Sequence, residues 1–364
     1  MKKKNWSLFI VISIVSFIAL TPLARAASRQ SYVINFINST KNEDNQGFGA
    51  TYESTLHAIE VLTHFNAIDS EDLKEMHKYL ENELQTIFDQ NDGNVYDIYY
   101  ILKSIDLLNT TDYEVNSSLE GKILNFINTS SQVGGGYAPD NTTTYDATML
   151  STYFALEIIS IVNNTYIIDE IHVNWTLSCY NTNGGFTGTN SSSQTSIINT
   201  FCALSILNNA LALDRLENPQ TTINYLSSFY SGINSSSINQ GGYLPDELAA
   251  YSLLSSTYYC VSALKILQND GNTVNLHTST TINWVYSRQN IQDGGFADII
   301  VGDGPSSISS SKYAVFTIVA LGGTLDVQVW MVEFDYIVLI VILIVVGVLV
   351  LGTYFLHRRR KKML

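Results

Sequence analysis

Gly241-Gly242-Tyr243-Leu244-Pro245-Asp246 restates Gly135-Gly136-Tyr137-Ala138-Pro139-Asp140 almost residue for residue, in a chain with only five prolines. Chance seldom produces such a pair. Its core, two glycines and an aromatic residue, returns as Gly184-Gly185-Phe186 and Gly294-Gly295-Phe296, with reduced copies at Gly47-Phe48 and Gly93-Asn94. The copies stand roughly 50 residues apart, a period that marks a repeat architecture.

Outward from each glycine pair the chain has helical spacing of apolar residues on both sides. The segment before it is short and amphipathic, as in Ile282-Asn283-Trp284-Val285-Tyr286, Ile223-Asn224-Tyr225-Leu226 and Val33-Ile34-Asn35-Phe36-Ile37. The segment after it is longer and apolar on most sides, as in Asn199-Thr200-Phe201-Cys202-Ala203-Leu204 and Ser256-Thr257-Tyr258-Tyr259-Cys260-Val261. A helix apolar all round is buried all round. The second helix of each pair therefore belongs to an inner ring, the first to an outer one, and glycine supplies the turn between them. Gly185 and Gly242 are expected at positive φ in those turns. The expected fold is all-α, an (α/α)6 toroid of six hairpins and twelve helices over residues 27–325.

Both ends of the chain carry targeting signals. Lys2, Lys3 and Lys4 precede an apolar run over residues 8–23, and Ala24-Arg25-Ala26 offers small residues around a cleavable bond, so residues 1–26 read as a signal peptide. After a juxtamembrane linker over residues 326–335 comes an uncharged apolar stretch at 336–356. As a helix it spans about 30 Å, the thickness of the hydrocarbon layer. His357, Arg358, Arg359, Arg360, Lys361 and Lys362 follow it. The positive-inside bias makes residues 357–364 a cytoplasmic tail and leaves the repeats outside, on a single-pass protein of the cell membrane.

Of the 19 Lys and Arg, four lie in the signal and five in the tail, leaving ten in the ectodomain against all 33 Asp and Glu. A surface this acidic repels phosphate backbones, which argues against nucleic acid as a partner. With 46% hydrophobic and 14% charged residues the chain can still bury a large core. Sequons at Asn38, Asn109, Asn116, Asn128, Asn141, Asn163, Asn174, Asn190 and Asn234 fit a glycoprotein. Cys179, Cys202 and Cys260 are odd in number and far apart, which points to packing rather than a disulfide framework.

With Trp284 and Arg288-Gln289-Asn290-Ile291-Gln292-Asp293-Gly294-Gly295-Phe296 on the page, the chain resembles the α/α toroids of the protein prenyltransferase β subunits and the squalene and hopene cyclases. The resemblance covers roughly residues 31–322. It implies the toroid; activity does not follow from fold. Prenyltransferases of this group hold zinc with an Asp and a Cys two apart at the start of a late inner helix and a His on the next. Here the matching stretches are Ala250-Tyr251-Ser252-Leu253-Leu254-Ser255 and Ser309-Ser310-Ser311-Lys312-Tyr313, without that set. The Asp-x-Asp-Asp run of the cyclases and the Gly-Cys-Gly-Glu-Gln segment of thioester toroids are also missing. No zinc site and no other cofactor is expected.

What remains at the starts of the inner helices is aromatic and acidic. Tyr99, Tyr100, Tyr145, Asp146, Tyr153, Tyr251, Tyr258, Tyr259 and Tyr313 are the candidate lining of a ligand funnel, with Glu53 and Asp97 among the acids. Tyrosine gives a wall with an apolar face and a polar tip, which suits a partly wet cavity. The bland account is core packing for the tyrosines and helix-dipole or capping roles for the acids. His57, Glu60 and His64 fall on one helix face, but span too great a length for one metal ion. The leading expectation is a binding domain for an apolar or amphiphilic ligand, or for a protein partner at the loop face. The enzyme alternatives are a divergent prenyltransferase or terpene cyclase, and a carbohydrate-active α/α barrel using two carboxylates such as Asp97 and Asp146. A structural spacer is the remaining class.

Overall fold

The computed structural model describes residues 27–42, 46–108, 117–142, 145–290, 292–298, 305–329 and Arg358. The expected signal peptide and the apolar stretch at 336–356 lie outside these residues. Among the described residues no helix is long and apolar enough to cross a membrane.

Arg29–Val327 is one compact unit. The pair β1 (Ala27–Ser28) and β2 (Gln328–Val329), antiparallel to each other, belongs to a separate unit. Among the described residues of Arg29–Val327 twelve α-helices form six hairpins: α1 (Arg29–Ser39) with α2 (Tyr52–His64), α3 (Ser70–Gln90) with α4 (Val95–Leu108), and α5 (Ser117–Ser130) with α6 (Met149–Val162). They continue as α7 (Glu170–Ser178) with α8 (Ile197–Asn209), α9 (Pro219–Ser228) with α10 (Leu254–Asn269), and α11 (Thr278–Tyr286) with α12 (Ile308–Ala320). The even-numbered helices pack each on the next, and α12 packs on α2, so they close a ring; each odd-numbered helix lies outside against the even helix that follows it. The expected toroid is the observed fold.

The inner ring is buried because its helices are apolar on most sides. Cys202, Ala203, Leu204, Ile206 and Leu207 of α8 are all enclosed, as are Cys260, Val261, Ala263 and Leu264 of α10. Each Leu or Ile so enclosed contributes about 1.5 to 3 kcal/mol of hydrophobic free energy. A second contribution comes from a hydrogen bond that recurs with the repeat. The aromatic residue after the glycines is buried, and its backbone N–H needs an acceptor there. A hydroxyl in the first turn of the inner helix provides it at 3.0 Å in five hairpins: Phe48 to Thr55, Tyr137 to Thr152, Phe186 to Thr200, Tyr243 to Thr257 and Phe296 to Ser311. In the second hairpin Asn94 replaces the aromatic and its Oδ1 instead accepts from the Asp97 N–H, 2.9 Å away, as the cap of α4.

The glycine pairs join each hairpin to the next outer helix, and the two members have different tasks. The first carries the positive φ: +106° at Gly135, +95° at Gly184, +110° at Gly241 and +85° at Gly294. A Cβ on Gly241 would come within 2.6 Å of the Thr280 carbonyl, and one on Gly294 within 2.7 Å of the Tyr32 carbonyl. The second glycine, without a positive φ, lies under an aromatic ring of that next helix. A Cβ there would stand 2.5 Å from Trp175 at Gly136, and 2.6 Å from Tyr225 at Gly185, from Trp284 at Gly242 and from Phe36 at Gly295. This corrects the expectation for Gly185 and Gly242, which are small because a ring covers them. The last pair docks on Tyr32 and Phe36 of α1, so the sixth hairpin seats itself on the first.

Candidate functional site

The recurring hydroxyl also sets which side chains face the centre. In α6, α8, α10 and α12 the two residues after it are Tyr153-Phe154, Phe201-Cys202, Tyr258-Tyr259 and Lys312-Tyr313; α2 supplies Leu56-His57 after Thr55, and α4 supplies Tyr99-Tyr100. All of these except Tyr313 border a central cavity of about 110 Å³, together with Glu53 and Glu60. Tyr313, with Glu53, Tyr100, Phe154, Ile198 and Tyr259, borders a wider space of about 400 Å³. Shared walls at Glu53, Tyr100, Leu150, Phe154, Ile198 and Tyr259 make the two adjoin, mouth and throat. The mouth is at the N-terminal ends of the inner helices, where Ser196, Ile197, Ser255 and Ser256 complete its wall. On the far side, Tyr153 also borders a pocket of about 320 Å³ with Leu156, Glu157 and Tyr166.

The rings pack on one another around the throat. Tyr99 stacks on Phe154 with centroids 4.3 Å apart, and Tyr259 contacts Phe201 and Tyr313 at 5.2 and 5.5 Å. The hydroxyls of Tyr259 and Tyr313 are 3.2 Å apart. Burial keeps the phenols of Tyr99, Tyr153 and Tyr259 protonated, well above their ordinary range. Burial also raises all three thiols, that of Cys179 to about 11, so Cys202 and Cys260 remain thiols at neutral pH. They behave as small apolar groups.

Charge enters the throat from two helices. Lys312 Nζ stands 3.5 Å from Glu60 Oε2, 4.4 Å from the Tyr258 ring centre and 5.0 Å from that of Tyr313. Burial by itself lowers the lysine's pKa, but Tyr258, Glu60 and Tyr313 outweigh it and hold the ammonium. Glu60 and Glu53 are both pushed upward by burial, against the pull of Lys312. His57 is held well below its usual value by burial and then by Lys312, which keeps it neutral; its Nδ1 lies 3.0 Å from Ser309 Oγ.

Of the nine residues read from sequence as funnel lining, Tyr99, Tyr100, Tyr153, Tyr258, Tyr259 and Tyr313 border the throat or the mouth. Tyr145, Asp146 and Tyr251 do not. They sit in exposed stretches ahead of α6 and α10, before the turn that aims a side chain at the axis. Leu56, His57, Phe154, Phe201, Cys202 and Lys312 were missed, and the signal was available: they hold the two positions after the repeat's hydroxyl. Asp97 accepts from Asn94 at 2.7 Å and lines a separate side pocket of about 680 Å³ with Glu83, Tyr52 and Tyr79. Asp97 and Asp146 therefore share none of these cavities.

The N-termini of α10 and α12, where the resemblance led to a search for a zinc set, are tied by an acid from the loop between α11 and α12. Asp298 accepts from the Leu254 N–H at 2.7 Å and from the Ser310 hydroxyl at 3.1 Å. His64 packs its ring on Phe65 and Phe316, away from His57. Among the described residues no three His, Cys, Asp or Glu side chains converge as metal ligands.

How far the centre is hollow can be measured. Leu204 is wholly enclosed, whereas Tyr259 is partly exposed to the cavity. Leu204→Ala is expected to cost about 2 to 5 kcal/mol, the range for a buried leucine. Tyr259→Ala is expected to lose less than half of that in urea unfolding, although more atoms are removed; an equal or larger loss would mean a solid centre.

The sequence matches the prenyltransferase alpha-alpha toroid domain over residues 73–297 and again over 241–332. Solved structures similar in fold include the following two. Candida albicans protein geranylgeranyltransferase-I, complexed with GGPP, is 17% identical with a TM-score of 0.61, covering 80% of this chain and 90% of its own. The type II terpene cyclase MstE from Scytonema is 13% identical with a TM-score of 0.51, covering 80% and 95%. No curated protein matches the sequence. The repeated glycine turns, the closed inner ring and the family match together place this chain in the prenyltransferase alpha-alpha toroid family.

Proposed function

We propose that the protein is a surface-displayed toroid that binds the hydrocarbon part of an amphiphilic ligand in its central cavity. The observation that carries this reading is the convergence of six inner helices on one mouth and throat walled by Tyr99, Tyr100, Tyr153, Phe154, Phe201, Tyr258, Tyr259 and Tyr313. A closed ring of helices with no central ligand would fill its axis with aliphatic residues, and partly exposed tyrosines are the usual wall of a small-molecule site. Binding without turnover is the reading because the stretches that match the family's zinc set, residues 250–255 and 309–313, hold no Asp, Cys or His, with Asp298 committed to two helix ends.

A fluorescent fatty amphiphile titrated against the full chain in lipid nanodiscs, with empty nanodiscs as the blank, tests the binding. Saturable uptake that Phe201→Trp blocks by filling the throat is the expected result. Uptake equal to that of empty nanodiscs would end the reading.

Surface display rests on the signal and on the residues flanking 336–356. Protease added to intact cells is expected to remove the toroid and spare a tag placed after Leu364; a tag digested from outside would reverse the orientation.

A further inference from the structure

At the first of the two axis-facing positions, five inner helices carry Leu56, Tyr99, Tyr153, Phe201 and Tyr258, and the sixth carries Lys312. An ammonium withdrawn from water loses its hydration, and a buried ion pair replaced by apolar residues is often no less stable. Stability therefore gives no reason for a lysine in this register. Its partner is also incompletely satisfied. Glu60 Oε2 is shut off from solvent, and its 3.5 Å approach to Lys312 Nζ exceeds the roughly 2.7 to 3.2 Å of a full hydrogen bond. Both residues border the 110 Å³ throat, Glu60 two helical turns deeper than Glu53 at the mouth.

A group seated between them has to accept from the ammonium and donate to the carboxylate. A hydroxyl does both. A ligand carboxylate or phosphate would set a further acid beside Glu53 and Glu60, which border the same throat. A ligand ammonium would face Lys312 and could accept nothing from it. The remaining wall is aromatic and suits hydrocarbon.

Building on the central-cavity reading, we infer that Lys312 and Glu60 form a polar anchor for the hydroxyl end of a neutral amphiphile, whose hydrocarbon lies along the aromatic wall toward the mouth.

The test compares three probes of equal chain length, hexan-1-ol, hexylammonium and hexanoate, by calorimetric titration of the full chain in nanodiscs against empty ones. The alcohol is expected to bind at least about tenfold more tightly than either ion, as a hydrogen bond to a charged group would give. The double variant Lys312→Met with Glu60→Leu removes both members of the anchor together, so that Glu60 is not left without its cation. It is expected to melt at or above the parent's temperature and to lose the preference for the alcohol. No binding of any probe would overturn the central-cavity reading itself. Equal binding of all three to the parent, or a preference for the alcohol that survives in the folded double variant, would overturn the anchor alone.

Discussion

Gly241→Ala combined with Gly242→Ala is expected to lower stability by about 5 kcal/mol, by summing a left-handed backbone penalty with overpacking at two adjacent sites. That is comparable to the whole stability of many domains. At Gly241 the backbone sits at φ +110° and the new methyl would meet the Thr280 carbonyl at 2.6 Å, an atom fixed within a helix. At Gly242 the methyl would meet both the Trp284 ring and Ser252 Cβ at 2.6 Å. Neither side can yield cheaply, because Trp284 is buried and its Nε1 donates to the Ile238 carbonyl at 2.9 Å. The control is Gly121→Ala in α5, where a Cβ meets nothing within 4 Å. It should stabilise by up to about 1 kcal/mol, the difference in helix propensity. Urea midpoints of the two variants would settle the matter: a double variant within about 1 kcal/mol of the parent would mean that the repeat glycines do not join the hairpins.

Lys312→Met alone is expected to cost about 3 to 5 kcal/mol near neutral pH, since it strands the Glu60 carboxylate in the throat without its cation. The cost should depend on pH in a definite direction. Burial already raises Glu60 above its ordinary 4.5, and Lys312 is the main group pulling it back. Without the lysine the folded-state value rises further, so the native protein binds a proton that the unfolded chain has released. Stability of the variant then falls as pH rises above about 4.5 and recovers as pH falls through the folded value, where Glu60 becomes a neutral acid. The parent, with its pair intact, should change less over the same interval. Urea unfolding at a series of pH values checks this. A penalty that grows toward acid, or a variant as stable as the parent at neutral pH, would show that the pair is open to solvent and of little consequence.

The two variants probe features of different legibility. Gly-Gly-aromatic could be found by eye, because a turn at positive φ and a ring laid over a bare backbone both require glycine at fixed chain positions. The difference in task within each pair could not, since it depends on where Thr280 and Trp284 of the following outer helix arrive. Inner and outer helices were separable for a similar local reason: an amphipathic helix shows a polar face in its periodicity, and an enclosed one shows none.

The site followed the opposite logic. Once a helix is apolar on all sides, its sequence no longer marks which side faces the axis, and Tyr145, Asp146 and Tyr251 were placed with the lining only because they stand near helix starts. The recurring hydroxyl supplies the missing phase, yet its meaning rests on the hydrogen bond from the buried aromatic's backbone, which is visible only in the fold. Lys312 and Glu60 are far apart in the chain, and nothing near either predicts the other. Their meeting is decided by ring closure, when α12 packs against α2. By itself the amino-acid sequence determined the repeat, the order of hairpins and the layer of each helix, because these follow from local periodicity and backbone freedom. Only the tertiary structure decided which side chains share the axis and which charges pair there, because both depend on contacts made after six hairpins have closed into a ring.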